Sequence, residues 1–238
     1  MTRNEVQPLK NKSFVKSVLL IIAIILVFNI CEHKARASIK ADSKKNCAIL
    51  VDLTEERLYL IDKDKNEIIK KYSIASGKIE TPSPIGTWRV IGMAKWSGGF
   101  GTRWIGLNVP WGTFGIHGTN RPGSIGSEAS HGCIRMLNKD VDELYEYVRV
   151  GMTVAIYGGP YGGFEKGFVT LKPGDRGAAV LEVQRKMKDK GYYLGKPDGI
   201  YGEAMKRYVI EFKEDHELTV NNNIDYEFYK KLGIILMD

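Results

Sequence analysis

The sequence predicts a two-part chain: a mainly-β unit, built as a mixed barrel or sandwich with one short helix, then a small three-helix unit. Three observations predict it. From Cys47 to Gly158 the sequence is a succession of short apolar or alternating runs broken by glycine-rich turns. Gly158-Gly-Pro-Tyr-Gly-Gly-Phe164 then places four glycines and a proline in seven residues, a composition that holds no regular element. Beyond it, apolar residues recur at helical spacing. The implied division is a β unit over 46–158, a linker over 159–169 and a helical unit over 170–238.

The β unit opens with Ala48-Ile-Leu-Val-Asp-Leu and Arg57-Leu-Tyr-Leu-Ile, separated by a polar turn at Thr54-Glu55-Glu56. Asp62-Lys-Asp-Lys-Asn makes a second, charged turn into Glu67-Ile-Ile-Lys-Lys-Tyr-Ser-Ile, so these three runs read as a meander. Thr87-Trp-Arg-Val-Ile-Gly, Trp104-Ile-Gly-Leu-Asn-Val and Val150-Gly-Met-Thr-Val-Ala-Ile-Tyr supply further strands. Asn138-Lys-Asp opens the short helix through Val141, Leu144 and Val148, with Asn138 or Asp140 as its cap. In the helical unit, Val180, Val183, Gln184 and Met187 share one face, and Met205, Tyr208, Val209 and Phe212 share another. Pro197-Asp-Gly-Ile-Tyr-Gly forms the turn between these helices, and Tyr226–Leu232 forms the third.

Composition is that of a globular protein, 43% hydrophobic and 26% charged. The net charge of +7 does not mark a nucleic-acid surface. Residues 1–46 carry nine Lys/Arg against three Asp/Glu, whereas residues 170–238 carry twelve of each. The positive charge therefore sits on the N-terminal tail and not on a folded face, which argues against nucleic acid as a partner. Lys10, Lys12 and Lys16 precede an apolar run from Val18 to Cys31, and Ala35-Arg-Ala37 follows. A basic segment, a short apolar segment and an A-x-A site describe a secretory signal peptide over residues 1–37. An uncleaved membrane anchor through residues 18–31 is the competing reading, although a span wants about 20 apolar residues. Either way the rest of the chain is exported, to the cell wall or the outer face of the membrane. The histidines, at 33, 117, 131 and 216, and the absence of a C-x-x-C pair give no metal-ligand spacing, so no metal is expected.

The chemistry concentrates in His117-Gly-Thr-Asn-Arg-Pro-Gly-Ser-Ile-Gly-Ser-Glu-Ala-Ser-His-Gly-Cys133-Ile-Arg135-Met-Leu-Asn138. A cysteine nucleophile must shed its proton, and a nearby imidazole can accept it and return it to a leaving group. Two histidines precede Cys133, His117 by sixteen positions and His131 by two, and the residues alone favour neither. Gly118 and Gly132 leave backbone amides unobstructed, as an oxyanion site needs. Arg135 suits a substrate carboxylate, and Thr119, Asn120 and Ser130 suit orientation of the histidines or their loop. A short, polar, glycine-bearing Ser-His-Gly-Cys is a poor packed strand, which favours a working cysteine over a buried inert one. Cys47 begins an apolar run and reads as a structural thiol.

This segment resembles the signature of the L,D-transpeptidase family, the YkuD-type domains: an early His, then Ser/Thr-His-Gly-Cys. The resemblance spans about Asn46 to Gly158 and includes Thr81-Pro-Ser-Pro-Ile-Gly-Thr-Trp. It implies that Cys133 is the nucleophile and His117 its base and acid, with the Gly118 carbonyl orienting His117. His131 then shapes the site, the Gly132 and Cys133 amides face the oxyanion, and Arg135, Asn138 and Asn120 contact substrate. It further implies transfer between peptidoglycan stem peptides to form 3→3 cross-links with loss of D-alanine, without metal or cofactor, and acylation by carbapenems. With water as acceptor the same site is an L,D-carboxypeptidase; a catalytically silent wall-binding protein is the non-enzymatic alternative. Leu171-Lys-Pro-Gly-Asp-Arg-Gly, Val183-Gln184, Asp198-Gly-Ile-Tyr-Gly202 and Val209 with Phe212 resemble the three-helix peptidoglycan-binding domain, over about Thr170 to Leu232. Its usual final Asp-Gly turn is replaced here by Asn221-Asn-Asn.

Overall fold

A computed structural model describes residues 46–159, 161–164 and 167–235. The tail carrying the signal-peptide and anchor readings lies outside the described residues.

The β unit is a closed barrel of eight strands: β1 (Cys47–Asp52), β2 (Arg57–Asp62), β3 (Glu67–Ala75), β4 (Gly86–Lys95), β5 (Arg103–Leu107), β6 (Phe114–His117), β7 (Ile134–Met136) and β8 (Thr153–Tyr157). Around the barrel they run β1-β2-β3-β7-β6-β5-β4-β8. All neighbours are antiparallel except β1 with β8 and β6 with β7. Closure leaves no strand edge to mispair. Strand alternation fills the interior: Ile49, Val51, Leu58, Leu60, Ile74, Val90, Ile105, Ile116, Ile134, Met136, Val154 and Ile156 are all buried. Cys47 is buried at the start of β1, and no disulfide joins it to Cys133.

Helix α1 (Asn138–Tyr145) presses Val141 and Leu144 onto this core. It ends three residues before Val148, and its N-cap position is Leu137, without a side-chain cap. Neither Asn138 nor Asp140 caps it, because the Asn138 carbonyl oxygen is engaged elsewhere. The predicted meander appears as β1–β3, with an Asp-headed turn at each corner. Asp52 Oδ1 accepts from the N–H groups of Thr54 and Glu55, and Asp62 Oδ1 from those of Asp64 and Lys65.

The C-terminal unit contains α2 (Ala178–Asp189), α3 (Glu203–Asp215) and α4 (Tyr226–Leu232). Asp225 caps α4 by accepting from Phe228 N–H, and left-handed Gly233 ends it. Gln184, fully buried, organises the turn before α3. Its Oε1 accepts from the N–H groups of Asp198 and Gly199 at 2.8 and 2.7 Å, and its Nε2 donates to Asp198 Oδ1 and Ile200 O.

The described residues within 159–169 include packed structure. Gly162–Phe164 form a 3-10 turn, and Phe164 is buried with Phe168 and Tyr229 in the helical unit's core. Large aromatic side chains overrode the glycine-rich backbone here. The same unit rests on the barrel: Leu181 joins the barrel core, and Gly199 lies against the Trp111 indole so closely that an added Cβ would come within 2.5 Å of it.

Candidate active site

Two short strands carry the site. β6 and β7 are parallel, with Ile116 opposite Ile134 and His117 opposite Arg135. Ile116 and Ile134 point into the core, so His117 and Arg135 point outward; Cys133 lies in the bend one residue before β7. Cys133 thus enters the strand that pairs with the one carrying His117. Both line a cavity of about 690 Å³ with Ser130, His131, Asn120, Arg121 and Arg135.

His117 is 3% exposed. Its Nδ1–H donates to the Gly118 carbonyl at 2.5 Å, which leaves Nε2 as the acceptor. The ring stacks on Trp104, centroids 5.7 Å apart and planes 24° apart, and meets Phe100 edge-on at 5.0 Å. Burial lowers its pKa, and the Arg135 charge adds to that; the Gly118 and Phe100 carbonyls oppose it. Burial raises the Cys133 pKa, against the Gly115 N–H and Arg135. Both shifts favour the same resting state, a neutral thiol beside a neutral imidazole.

Ser130, 1% exposed, ties the Cys133 loop: its hydroxyl donates to Cys133 O at 2.6 Å and accepts from Gly132 N–H at 3.0 Å. Gly132 holds φ of +106°, and a Cβ there would lie 2.6 Å from the Phe114 ring, so the loop needs glycine at this point. The expectation that the Gly118 and Gly132 amides stand free for an oxyanion is corrected by these contacts. Gly132 N–H is held by Ser130, and Gly118 N–H donates to Arg103 O at 3.2 Å.

Asn138 is corrected as well. It is absent from the cavity wall, and its Oδ1 accepts from Thr119 N–H at 3.1 Å and Thr102 N–H at 3.3 Å. It braces the two loops flanking His117. Thr119, 4% exposed, holds the next turn by accepting from Arg121 N–H at 3.0 Å. Asn120 and His131 are exposed on the cavity wall.

The sequence reading missed Trp104, Phe100, Trp96, Thr113 and Arg121. Trp104 stacks on His117 because the two are directly paired across β5 and β6. Phe100 bridges Trp104 and Trp96 edge-to-face, forming an aromatic rim on the cavity. The signal available was Trp96, Phe100 and Trp104 at four-residue intervals on either side of a Gly-Gly turn.

A closed eight-stranded barrel, with His117 on one of two neighbouring parallel strands and Cys133 one residue before the other, defines a cysteine–histidine barrel domain. Residues 47–156 match the family described as "L,D-transpeptidase catalytic domain", and residues 176–232 match the family described as "Putative peptidoglycan binding domain". The chain is 48% identical over 92 residues to the "Putative L,D-transpeptidase YkuD" of Bacillus subtilis, covering 38% of this chain and 55% of that protein. It is 43% identical over 109 residues to the protein of the same name from Bacillus licheniformis, covering 45% and 64%. The chain thus spans less than two thirds of either relative. Among solved structures, the catalytic domain of an E. faecium L,D-transpeptidase is similar at 24% identity and a TM-score of 0.41, covering 48% of this chain and 98% of that domain.

Proposed function

We propose that the protein is an exported L,D-transpeptidase that joins peptidoglycan stem peptides through a Cys133 thioester. The observation that carries this reading is His117 Nδ1–H bound to Gly118 O beside Cys133, which leaves Nε2 to serve the thiol. Because both groups rest neutral, the thiolate forms as attack begins: the Cys133 proton passes to His117 while sulfur adds to the carbonyl of the third stem residue. The Cys133 N–H meets the developing oxyanion. Collapse breaks the amide bond to the terminal D-alanine, whose nitrogen takes the proton from His117. An amine on a second stem then attacks the thioester, gives its proton through His117 to the leaving sulfur, and becomes the 3→3 cross-link.

Arg135 and Arg121 on the cavity wall suit the carboxylate-bearing ends of the stem. The C-terminal unit holds the enzyme on the wall and raises the local substrate concentration. A carbapenem carries a strained acyl group that the same thiol would open and retain.

Residues 38–238 incubated with disaccharide-tetrapeptide, beside Cys133→Ala, test the reading by mass spectrometry. A cross-linked dimer with loss of D-alanine, absent from the variant, is the expected result. Tripeptide without dimer would move the assignment to carboxypeptidase. Unchanged substrate, with the protein still retained on insoluble wall, would favour a silent binder.

A further inference from the structure

The β1–β2 and β2–β3 turns are built alike, each headed by an aspartate, Asp52 or Asp62, that accepts from the next two turn amides. Each also ends in a left-handed residue. In the second turn this is Asn66, at φ 55°, a residue type that tolerates the conformation. In the first it is Glu56, at φ 51°. Asparagine or glycine would sit there at lower cost, so what distinguishes Glu56 is its side chain.

That side chain reaches the catalytic loop through unbroken contacts. Ser76 Oγ donates to Glu56 Oε1, while the other carboxylate oxygen is buried without a partner. Ser76 O accepts from Ala129 N–H at 3.0 Å and Ser130 N–H at 2.9 Å. Ser130 O in turn accepts from Lys78 N–H at 3.1 Å, completing a parallel bridge between Gly77 and Ser130. Ser130 Oγ then joins Gly132 N–H to Cys133 O. β3 ends at Ala75, so this bridge holds the nucleophile loop beyond the last strand pairing, and Ser76 is its hinge.

We propose that Glu56 is a positioning residue for Cys133: its carboxylate fixes Ser76, and Ser76 fixes the Ser130–Cys133 loop. The proposal rests on the cysteine acyl-transfer reading for its turnover assay only, since loop position is also read in the thiol itself.

The experiment compares full-length protein with Glu56→Gly and Glu56→Gln. Glycine relieves the turn and removes the carboxylate; glutamine keeps an acceptor for Ser76. Three quantities are measured: melting temperature, the iodoacetamide alkylation rate of the Cys133 peptide by mass spectrometry, and kcat and KM on soluble tetrapeptide. Glu56→Gly should melt no lower than the parent, yet lose about tenfold in kcat with KM little changed, and its Cys133 alkylation rate should change to a similar extent. Glu56→Gln should recover most of both. Parent-like kcat and alkylation in Glu56→Gly would overturn the proposal, as would a parallel fall in stability and activity that glutamine does not repair. If no variant turns over stem peptide, the acyl-transfer reading fails, and alkylation still decides the role of Glu56.

Discussion

His117 lies flat against Trp104, 5.7 Å between centroids, because the antiparallel register of β5 and β6 pairs the two residues directly. The indole fixes the plane of the imidazole while Gly118 O fixes its rotation about that plane. Trp104→Ala should therefore lower kcat by about 10- to 100-fold, the scale on which a misplaced proton carrier is felt. It should also cost about 2–4 kcal/mol of stability through lost packing. Trp104→Phe keeps a stacking face and should retain most of kcat. Steady-state kinetics beside thermal melts separate the two effects.

The neutral Cys133–His117 pair makes a spectroscopic prediction. Thiolate absorbance near 240 nm, taken as wild type minus Cys133→Ala, should be absent at neutral pH and rise only in the alkaline range, since burial raises this thiol. A thiolate signal at neutral pH would indicate a preformed ion pair instead.

The depressed His117 also sets a direction for stability against pH. In the unfolded chain this histidine takes up a proton near its ordinary 6.5, whereas the folded protein resists protonation to lower pH. Between those values the unfolded state binds more protons, so stability falls as pH drops below about 6.5. His117→Gln should flatten that part of the curve, measured as melting temperature from pH 7 to pH 5.

Asn138→Ala removes the acceptor for the Thr102 and Thr119 amides without touching the cavity wall. Two part-buried amides left unpaired should cost about 1–3 kcal/mol. The kinetic loss should appear in kcat, with KM nearly unchanged; a rise in KM alone would restore Asn138 as a substrate contact.

Gly199 sits at φ +72° with its Cα against Trp111. Gly199→Ala adds backbone strain and a clash at the same point, and should destabilise by about 2 kcal/mol or more. A shift in tryptophan emission would accompany the melt, because Trp111 contacts both Trp88 and Phe114.

The meander β1–β3 and the helices α2–α4 were legible because each is long enough to show its own period. The two strands that carry the site were not. Phe114–His117 and Ile134–Met136 have four and three residues, set among glycines, and three residues cannot display an alternation. Cys133 was legible from its local chemistry, but its choice of His117 over His131 came from family resemblance. The geometry that accompanies that choice is non-local: the parallel register of β6 with β7 and the pairing of Trp104 with His117. The glycines mark close approaches, as the sequence implies, but their amides are held by Ser130 and Arg103 and are not free for an oxyanion. The Arg103–Gly118 partners lie fifteen residues apart and are written into the fold; the Ser130–Gly132 bond is local, but it depends on the backbone conformation of the Cys133 loop.

The most direct test of the central claim is to trap the acyl-enzyme. Residues 38–238 would be mixed with tetrapeptide, quenched in acid within a turnover and analysed by intact and peptide-level mass spectrometry. The account predicts a stem lacking its terminal D-alanine bound as a thioester to the Cys133 peptide, with none on Cys47 and little formed in His117→Ala. Cross-linked product appearing with no adduct at Cys133, or undiminished in Cys133→Ala, would contradict it.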